Sequence, residues 1–400
     1  MAKPIAIHTP KRREGQHNVL GLTTEPLPVV RVGIVGLGER GMKAVRRFCD
    51  IDHACVTAVC DVSPQRADEA SQLLGSLGQS ANVVAGVDAY KDLCRLKEVD
   101  LIYICTDWTS HVDVACEAML QGKHAAIEVP AAMTIDDCWK LIDTAETTQC
   151  HCTMLENCCY DFFEMAVREM VRQGLLGEIV HAEGGYAHPL GEHWTRWRLD
   201  INRQQRGDIY PTHGFGPICQ WLDIHRSDRL DYLVSMDSAP LTGPTTYREH
   251  LGTDAPDFQN ADQTSTLIRT RRGRSILLQH NVLTPRPYSR MMQAVGTKAM
   301  MDERDFRRPE GYTERAAELE PYLPEWVLPL REKATKYDRR GGMTYFMDWR
   351  LVDCLHRGAP LDIDVYDLAE WCSVSELSRI SIENGSMPVA FPDFTRSIKI

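Results

Sequence analysis

No stretch of this chain approaches the roughly 20 apolar residues that a membrane-spanning helix needs, so no membrane partner is expected. It also lacks a surplus of basic residues. Forty-five Lys and Arg stand against 56 Asp and Glu, a formal charge of -11, which argues against nucleic acid or an anionic surface as partner. The basic residues in MAKPIAIHTPKRREGQHNVLGL are not followed by an apolar segment. That start does not read as a secretory signal; a cytoplasmic protein with a disordered or surface-draped arm over residues 1–28 is expected. The fourteen cysteines form no paired CxxC framework, and Cys150/Cys152 and Cys158/Cys159 have no distant partner at metal-ligand spacing. Cys55, Cys60, Cys105, Cys116, Cys138 and Cys219 lie within apolar patterns. Buried reduced thiols and no metal centre are expected.

What the chain does have is length for two domains and one informative stretch, VRVGIVGLGERG, from Val30 to Gly41. A β-branched run ends in Gly36, Gly38 and Gly41, and a helical pattern follows. Strand, glycine turn and helix in that order suit a dinucleotide pyrophosphate. The first glycine allows the turn, the second lets backbone approach phosphate, and the third lets helix pack on strand. The helix N-terminus then offers free N–H groups to the anion. A second strand-like run, Ala54 to Cys60, ends in Asp61, twenty positions after Gly41. A carboxylate there accepts from the adenosine ribose hydroxyls and repels a 2′-phosphate, which favours NAD over NADP; Arg40 at the turn would tolerate a phosphate and keeps the alternative open.

Strand and helix keep alternating to about Asn157. Helical patterns at Pro64–Leu74, His111–Lys123 and after Thr134 separate strand-like runs at Val83–Val84, Val99–Thr106, His124–Val129 and Cys150–Leu155. The expectation is an α/β Rossmann domain, a doubly wound parallel sheet, over residues 29–157. From 158 to 400 the character changes to an α+β domain with a large, mostly antiparallel sheet, for substrate binding and oligomerisation. A helix at Phe162–Gln173 precedes strand-like segments at Glu178–Gly185, Leu230–Asp237, Gln263–Arg271, Ser275–Val282 and Met291–Gly296. Arg307–Arg340, rich in proline and charge, reads as an irregular surface excursion. Helical segments at Met343–His356 and Val365–Asn384 close the chain and are candidates to pack back on the first domain. An exposed face of the second sheet would suit a homodimer or homotetramer.

Ligands of open parallel sheets sit beyond the carboxyl ends of the strands. Polar clusters fall at those ends: Thr106-Asp-Trp108-Thr109-Ser110-His111, Glu128-Val129-Pro130 and Glu156-Asn157. Each alone would be a helix cap or a surface turn; their recurrence at successive strands points to a nicotinamide-facing rim. The second domain adds Gly207-Asp-Ile-Tyr210-Pro-Thr-His213-Gly214. There Tyr and His, three residues apart, face the same way on an emerging helix turn and combine a hydrogen-bond donor with a proton carrier. Trp194 to Arg198 (WTRWR) suits sugar stacking or clamping of the cofactor.

Together these residues resemble the Gfo/Idh/MocA superfamily of glucose–fructose oxidoreductase and inositol dehydrogenase, which pairs a Rossmann domain with a second sheet domain. The superfamily usually carries Glu-Lys-Pro where this chain has Glu128-Val129-Pro130; the missing lysine argues against simple alcohol oxidation. From Val30 onward the chain more narrowly resembles one branch, the NAD-dependent glycosidases of glycoside hydrolase family 109. The matching stretches are Gly36–Gly41, Trp108–His111, Glu128–Pro130, Glu156–Tyr160, Tyr210–His213, Arg286–Ser289, Gly341–Met343, Asp362–Asp367 and Pro392–Arg396. The resemblance implies cofactor contacts at Glu39, Arg40, Asp61, Trp108, Thr109, Ser110, His111, Glu128, Val129, Asn157, Arg198 and Tyr210. It implies sugar contacts at Tyr186, Tyr210, Pro211, Thr212, His213 and Tyr288. Thr344, where the branch often has an acidic residue, and Asp107, where it often has proline, are departures.

The same resemblance implies cleavage of a glycoside with no net redox change: transient oxidation at C3, deprotonation at C2, elimination of the aglycone from C1, addition of water and reduction. This route differs from the two-carboxylate chemistry of ordinary glycosidases. Tyr186 is the expected C2 base, activated by a neighbouring positive charge or by the cofactor, and His213 the acid/base at the C3 hydroxyl, assisted by Tyr210. The expected substrates are α-N-acetylgalactosaminides or related hexosides. An NAD-dependent sugar or cyclitol dehydrogenase and a non-catalytic NAD-binding regulator are the alternatives.

Overall fold

The computed structural model describes residues 3–303, 307–308, 311–312, 316–338 and 341–396. Its first half follows from runs that alternate between β-branched and helix-forming residues. Strands β1 (Val30–Val35), β2 (Ala54–Asp61), β3 (Asn82–Ala85), β4 (Leu101–Ile104), β5 (His124–Ile127) and β6 (Cys152–Met154) pair in parallel in the order β3-β2-β1-β4-β5-β6. Every residue of β4 is buried, as a strand covered on both faces requires. The order reverses between β1 and β4, which opens a crevice at the carboxyl edge. Helices α1 (Glu39–Phe48), α2 (Pro64–Ser76), α3 (Ala89–Cys94), α4 (His111–Leu120) and α5 (Ile135–Thr148) supply the crossovers. Thr134 caps α5 by accepting from the Asp137 N–H.

After α6 (Phe162–Arg172), strands β7 (Ile179–Ala187), β8 (Leu230–Asp237), β9 (Thr264–Thr270), β10 (Ser275–Asn281), β11 (Gln293–Gly296) and β12 (Met300–Asp302) join the short strand Val389–Ala390 in a seven-stranded sheet. All neighbours are antiparallel except β7 and β10, which are parallel. Between those two strands run α7 (Arg196–Gln204), α8 (Thr212–Trp221) and α9 (Gly243–Leu251), none of which the hydrophobic pattern marks as a full helix. Small residues decide where α8 sits. A Cβ on Gly184 would lie 2.6 Å from Gly214 O, and one on Gly214 only 2.1 Å from Gly185 N. With glycine at all three positions, the first turn of α8 lies directly on β7.

The expected irregular excursion over Arg307–Arg340 needs correction where it is described: Val327–Tyr337 is helical, with Val327 and Ala334 buried. Its proline and charge fall at the helix start and on the exposed side, a distribution that hides the period; residues 309–310, 313–315 and 339–340 of that stretch lie outside the described residues. Residues 3–28 run as an arm along the surface. Ile5 bridges Val389, Val19 is buried, and Arg12 donates to Glu146 at 2.7 and 3.0 Å. The last long helix, Val365–Glu383, packs against α5: the Ile135 N–H donates to Glu376 at 2.8 Å, and Cys138 Sγ lies 3.5 Å from Ala369 O. The cysteines are free thiols, mostly buried. Among the described residues no helix is long and apolar enough to cross a membrane.

Candidate active site

The glycine turn shows why each glycine is there. Gly36 has φ +90°, and a Cβ on it would lie 2.6 Å from the Cys105 carbonyl. A Cβ on Gly41 would lie 1.9 Å from Gly36 O, so this glycine sits under the turn and does not line the cleft. Gly38 differs: a Cβ there meets nothing within 4 Å. Gly38 is also the N-cap of α1 and offers no side chain to the first N–H groups of that helix. Open space beside free N–H donors is what a pyrophosphate fills. Asp61 closes the turn, accepting from Leu37 N–H at 2.7 Å and Ser63 N–H at 2.8 Å while lining the cleft. The groups that act most on Arg40 are Glu128, which raises its guanidinium above the ordinary value, and Tyr210; Asp61 is not among them. These residues fit a dinucleotide with unphosphorylated adenosine ribose.

One cavity of about 990 Å³ runs from this turn to the second sheet. It is lined by Gly36, Gly38, Glu39, Arg40, Asp61, Trp108, Ser110, His111, Glu128, Val129, Asn157, Tyr186, Arg198, Tyr210, His213 and Tyr288, all read from the sequence as site residues. Thr109, Pro211 and Thr212 do not line it. The exposed Thr109 spends its hydroxyl and N–H on Asp107, Pro211 precedes α8, and Thr212 is buried beside Glu156. His111 lines the cavity, but its ring nitrogens face the carbonyls of Pro130 at 2.9 Å and Thr106 at 3.1 Å, which tie α4 to the cis Val129–Pro130 turn.

At the second-sheet end four rings converge. Tyr186 lies 4.9 Å from Tyr210, 5.2 Å from His213 and 6.4 Å from Tyr288, centroid to centroid. Tyr210 and His213 meet edge to face at 5.0 Å, as their spacing at the start of α8 predicts. Trp108 stacks on Tyr210 at 5.6 Å and meets Trp197 edge to face at 5.1 Å, with Arg198 over Trp197. Of WTRWR, Trp194 instead enters a small core with Leu199, Tyr247 and Phe258.

The strongest polar contact in the site was not legible as a pair. His213 Nδ1 lies 2.6 Å from Glu156 Oε1, and the carboxylate is wholly buried. Burial lowers the imidazole, but Cys158 and Glu156 outweigh it and raise the ring to about 10. Burial likewise raises the Glu156 carboxyl, yet His213, the Thr212 hydroxyl and the Cys158 N–H hold it below its ordinary value. Glu156, Cys158 and His213 bring ligand-type atoms within 4.8 Å of one another, a cluster that residue spacing did not suggest. Buried Arg290 donates to Cys158 Sγ at 3.3 Å and to Asp161 at 2.5 Å, so a fixed cation already faces the sulfur. The expected activation of Tyr186 is not supplied by the protein alone. Burial raises its phenol well above the ordinary value, and Arg40 and Arg198 only partly oppose this. His188, His193, Cys158 and His280 also line the cavity and were missed. For His188 a signal existed, since it follows Tyr186 at the two-residue period of one strand face.

A Rossmann crevice facing a cluster of tyrosines and a charged histidine under a second sheet defines a two-domain, nucleotide-dependent enzyme. Residues 30–156 match the oxidoreductase family with an NAD-binding Rossmann fold, and residues 160–399 match the C-terminal domain of glycosyl hydrolase 109. The chain belongs to glycosyl hydrolase family 109 and is an NAD-dependent glycosidase at the level of that family. A family 109 protein of Porphyromonas gingivalis is 49% identical over 98% of this chain and 90% of its own length; family 109 protein 1 of Bacteroides fragilis is 48% identical over 98% and 91%. In fold the chain is similar to a probable dehydrogenase from Thermotoga maritima (TM-score 0.68, 16% identity, 90% of this chain and 98% of that one). It is also similar to the myo-inositol dehydrogenase of Lactobacillus casei in complex with NAD(H) and myo-inositol (TM-score 0.65, 14% identity, 92% and 99%).

Proposed function

We propose that the cavity cleaves α-N-acetylgalactosaminides or related hexosides through transient oxidation at C3 and elimination across C1–C2, with no net redox change. The convergence of Tyr186, Tyr210, His213 and Tyr288 at one end of a cavity whose other end is the glycine turn carries this reading. Residues 29–157 hold the cofactor and residues 158–400 supply the sugar site. Gly36, Gly38, Glu39, Arg40 and Asp61 hold the adenosine and pyrophosphate end. Trp108, Ser110, His111, Glu128, Val129, Asn157 and Arg198 orient the nicotinamide end. Bound NAD supplies a reversible two-electron acceptor for C3, which makes the neighbouring C2–H acidic.

The protein's own part is proton management. Glu156 fixes Nδ1 of His213, which leaves Nε2 to exchange a proton with the C3 hydroxyl. Tyr210, stacked on Trp108 and edge to face with His213, assists the same proton transfer. Tyr186 is the proposed base at C2; its raised phenol requires a further positive charge in the loaded site before it can ionise at neutral pH. Tyr288 packs at right angles to Tyr186 and His188 and closes over the sugar. The wall of Trp, Tyr and His rings keeps the reacting face away from bulk water.

The test is a panel of nitrophenyl glycosides with purified protein and no added reductant. Release of nitrophenol over many turnovers without accumulating NADH supports the proposal. The second reading, a sugar or cyclitol dehydrogenase, is favoured by the fold it shares with inositol dehydrogenases and expects one NADH per sugar oxidised.

A further inference from the structure

Strand β10 alternates regularly, with Ile276, Leu278 and His280 on one face. The first two are apolar and buried in the core, as that face demands. His280 ends the row where it reaches the cavity, and it is 0% exposed. Register sets it beside Tyr186 of β7 and opposite Thr264 of β9. Among the described residues, neither Nδ1 nor Nε2 of His280 has a hydrogen-bond partner. A buried donor and a buried acceptor left without partners disfavour the folded state, and folding alone would favour a third aliphatic residue here. Burial with no charged neighbour drives the ring down to about 4, so at neutral pH it is uncharged, with one N–H donor and one bare nitrogen.

We propose that His280 recognises substrate, giving and accepting hydrogen bonds with uncharged hydroxyl or acetamido groups of the sugar bound against Tyr186. The inference rests on the glycosidase reading of the cavity and adds a specificity-determining residue to it. A neutral imidazole satisfied by sugar hydroxyls binds a neutral hexoside without a proton change, whereas a uronide would bring a carboxylate into a desolvated place with only an uncharged N–H to receive it. His280 therefore selects for neutral sugars.

The experiment compares wild type, His280→Leu and His280→Gln. Three readouts are used: hydrolysis of nitrophenyl N-acetyl-α-galactosaminide, binding of free N-acetylgalactosamine followed by tryptophan fluorescence, and NAD affinity. His280→Leu is expected to raise KM and the sugar Kd about tenfold to a hundredfold, with kcat changed less than about threefold. NAD affinity stays as in wild type, and Tm is equal or higher because an unmade polar group has been removed. His280→Gln keeps a donor and an acceptor and recovers part of the sugar affinity. Unchanged KM and sugar Kd in His280→Leu overturn the inference, as does a lowered Tm with sugar affinity intact in His280→Gln. A wild-type protein that binds NAD but neither cleaves nor binds any sugar of the panel sinks the glycosidase reading itself, and with it this inference.

Discussion

Glu156 places one oxygen on His213 and has no access to solvent, so its charge acts mainly on that ring. In Glu156→Gln one of the two raising influences is lost, Cys158 keeping the other, while burial still lowers the imidazole. The limb of the pH–rate profile that belongs to His213 is expected to move down from about 10, with kcat falling about tenfold to a hundredfold and KM nearly unchanged. A fall in Tm with that limb in place would make Glu156 purely structural. Asp208, two residues before Tyr210, poses the opposite problem, because burial pushes its carboxyl up to about 7. The unfolded chain ionises it near ~3.9, so its penalty on stability is absent below that pH, grows as pH rises and is complete above about 7. Asp208→Asn is therefore expected to leave Tm unchanged at pH 4 and to raise it most at pH 7 and above. Thermal melts across that range check the sign; a gain that is largest in acid contradicts it.

At the scale of elements, the glycine turn and the first turn of α8 do different work with the same residue type. Gly41→Ala forces a Cβ into Gly36 O and should lower Tm and NAD affinity together. Gly38→Ala meets open space, so the protein should melt as wild type does while its NAD Kd rises at least tenfold. Equal losses of Tm in the two variants would contradict the assignment of Gly38 to the phosphate. The turn, Asp61 and the six parallel strands were legible because each is written in a short, contiguous pattern. The Glu156–His213 pair spans 57 positions and exists because Gly184, Gly185 and Gly214 let α8 lie on β7. Those glycines stand in the sequence, but the contact between them is a tertiary fact. His280 was hidden for a similar reason, since strand alternation marks it as inward-facing without saying that its inward side ends at a cavity. The helix Val327–Tyr337 was missed because Pro329 and four charged residues blur its period.

Across the whole molecule, buried Glu146 ties distant parts of the chain together. It accepts from Arg12 of the arm, from Arg396 near the chain's end at 2.6 Å and from the Tyr366 hydroxyl at 2.6 Å. Glu146→Ala removes the carboxylate that joins the arm to the chain's far segment, although Arg396 keeps Asp143 and Arg12 keeps the Thr395 carbonyl, and is expected to cost about 1–3 kcal/mol, read by denaturant melts, with faster proteolysis of the arm. An unchanged melt would show that the arm is not part of the cooperative unit. Val180, Met236, Leu267 and Met300 stay exposed on the second sheet, and we propose this face as the contact of a homodimer or homotetramer. The account as a whole turns on a sugar that is oxidised and restored within one turnover. Its most direct test is turnover of a nitrophenyl N-acetyl-α-galactosaminide in D₂O, with NMR of the released sugar. One deuterium at C2 of the product, with no NADH left behind, is the expected result; a product bearing only hydrogen at C2 contradicts the mechanism.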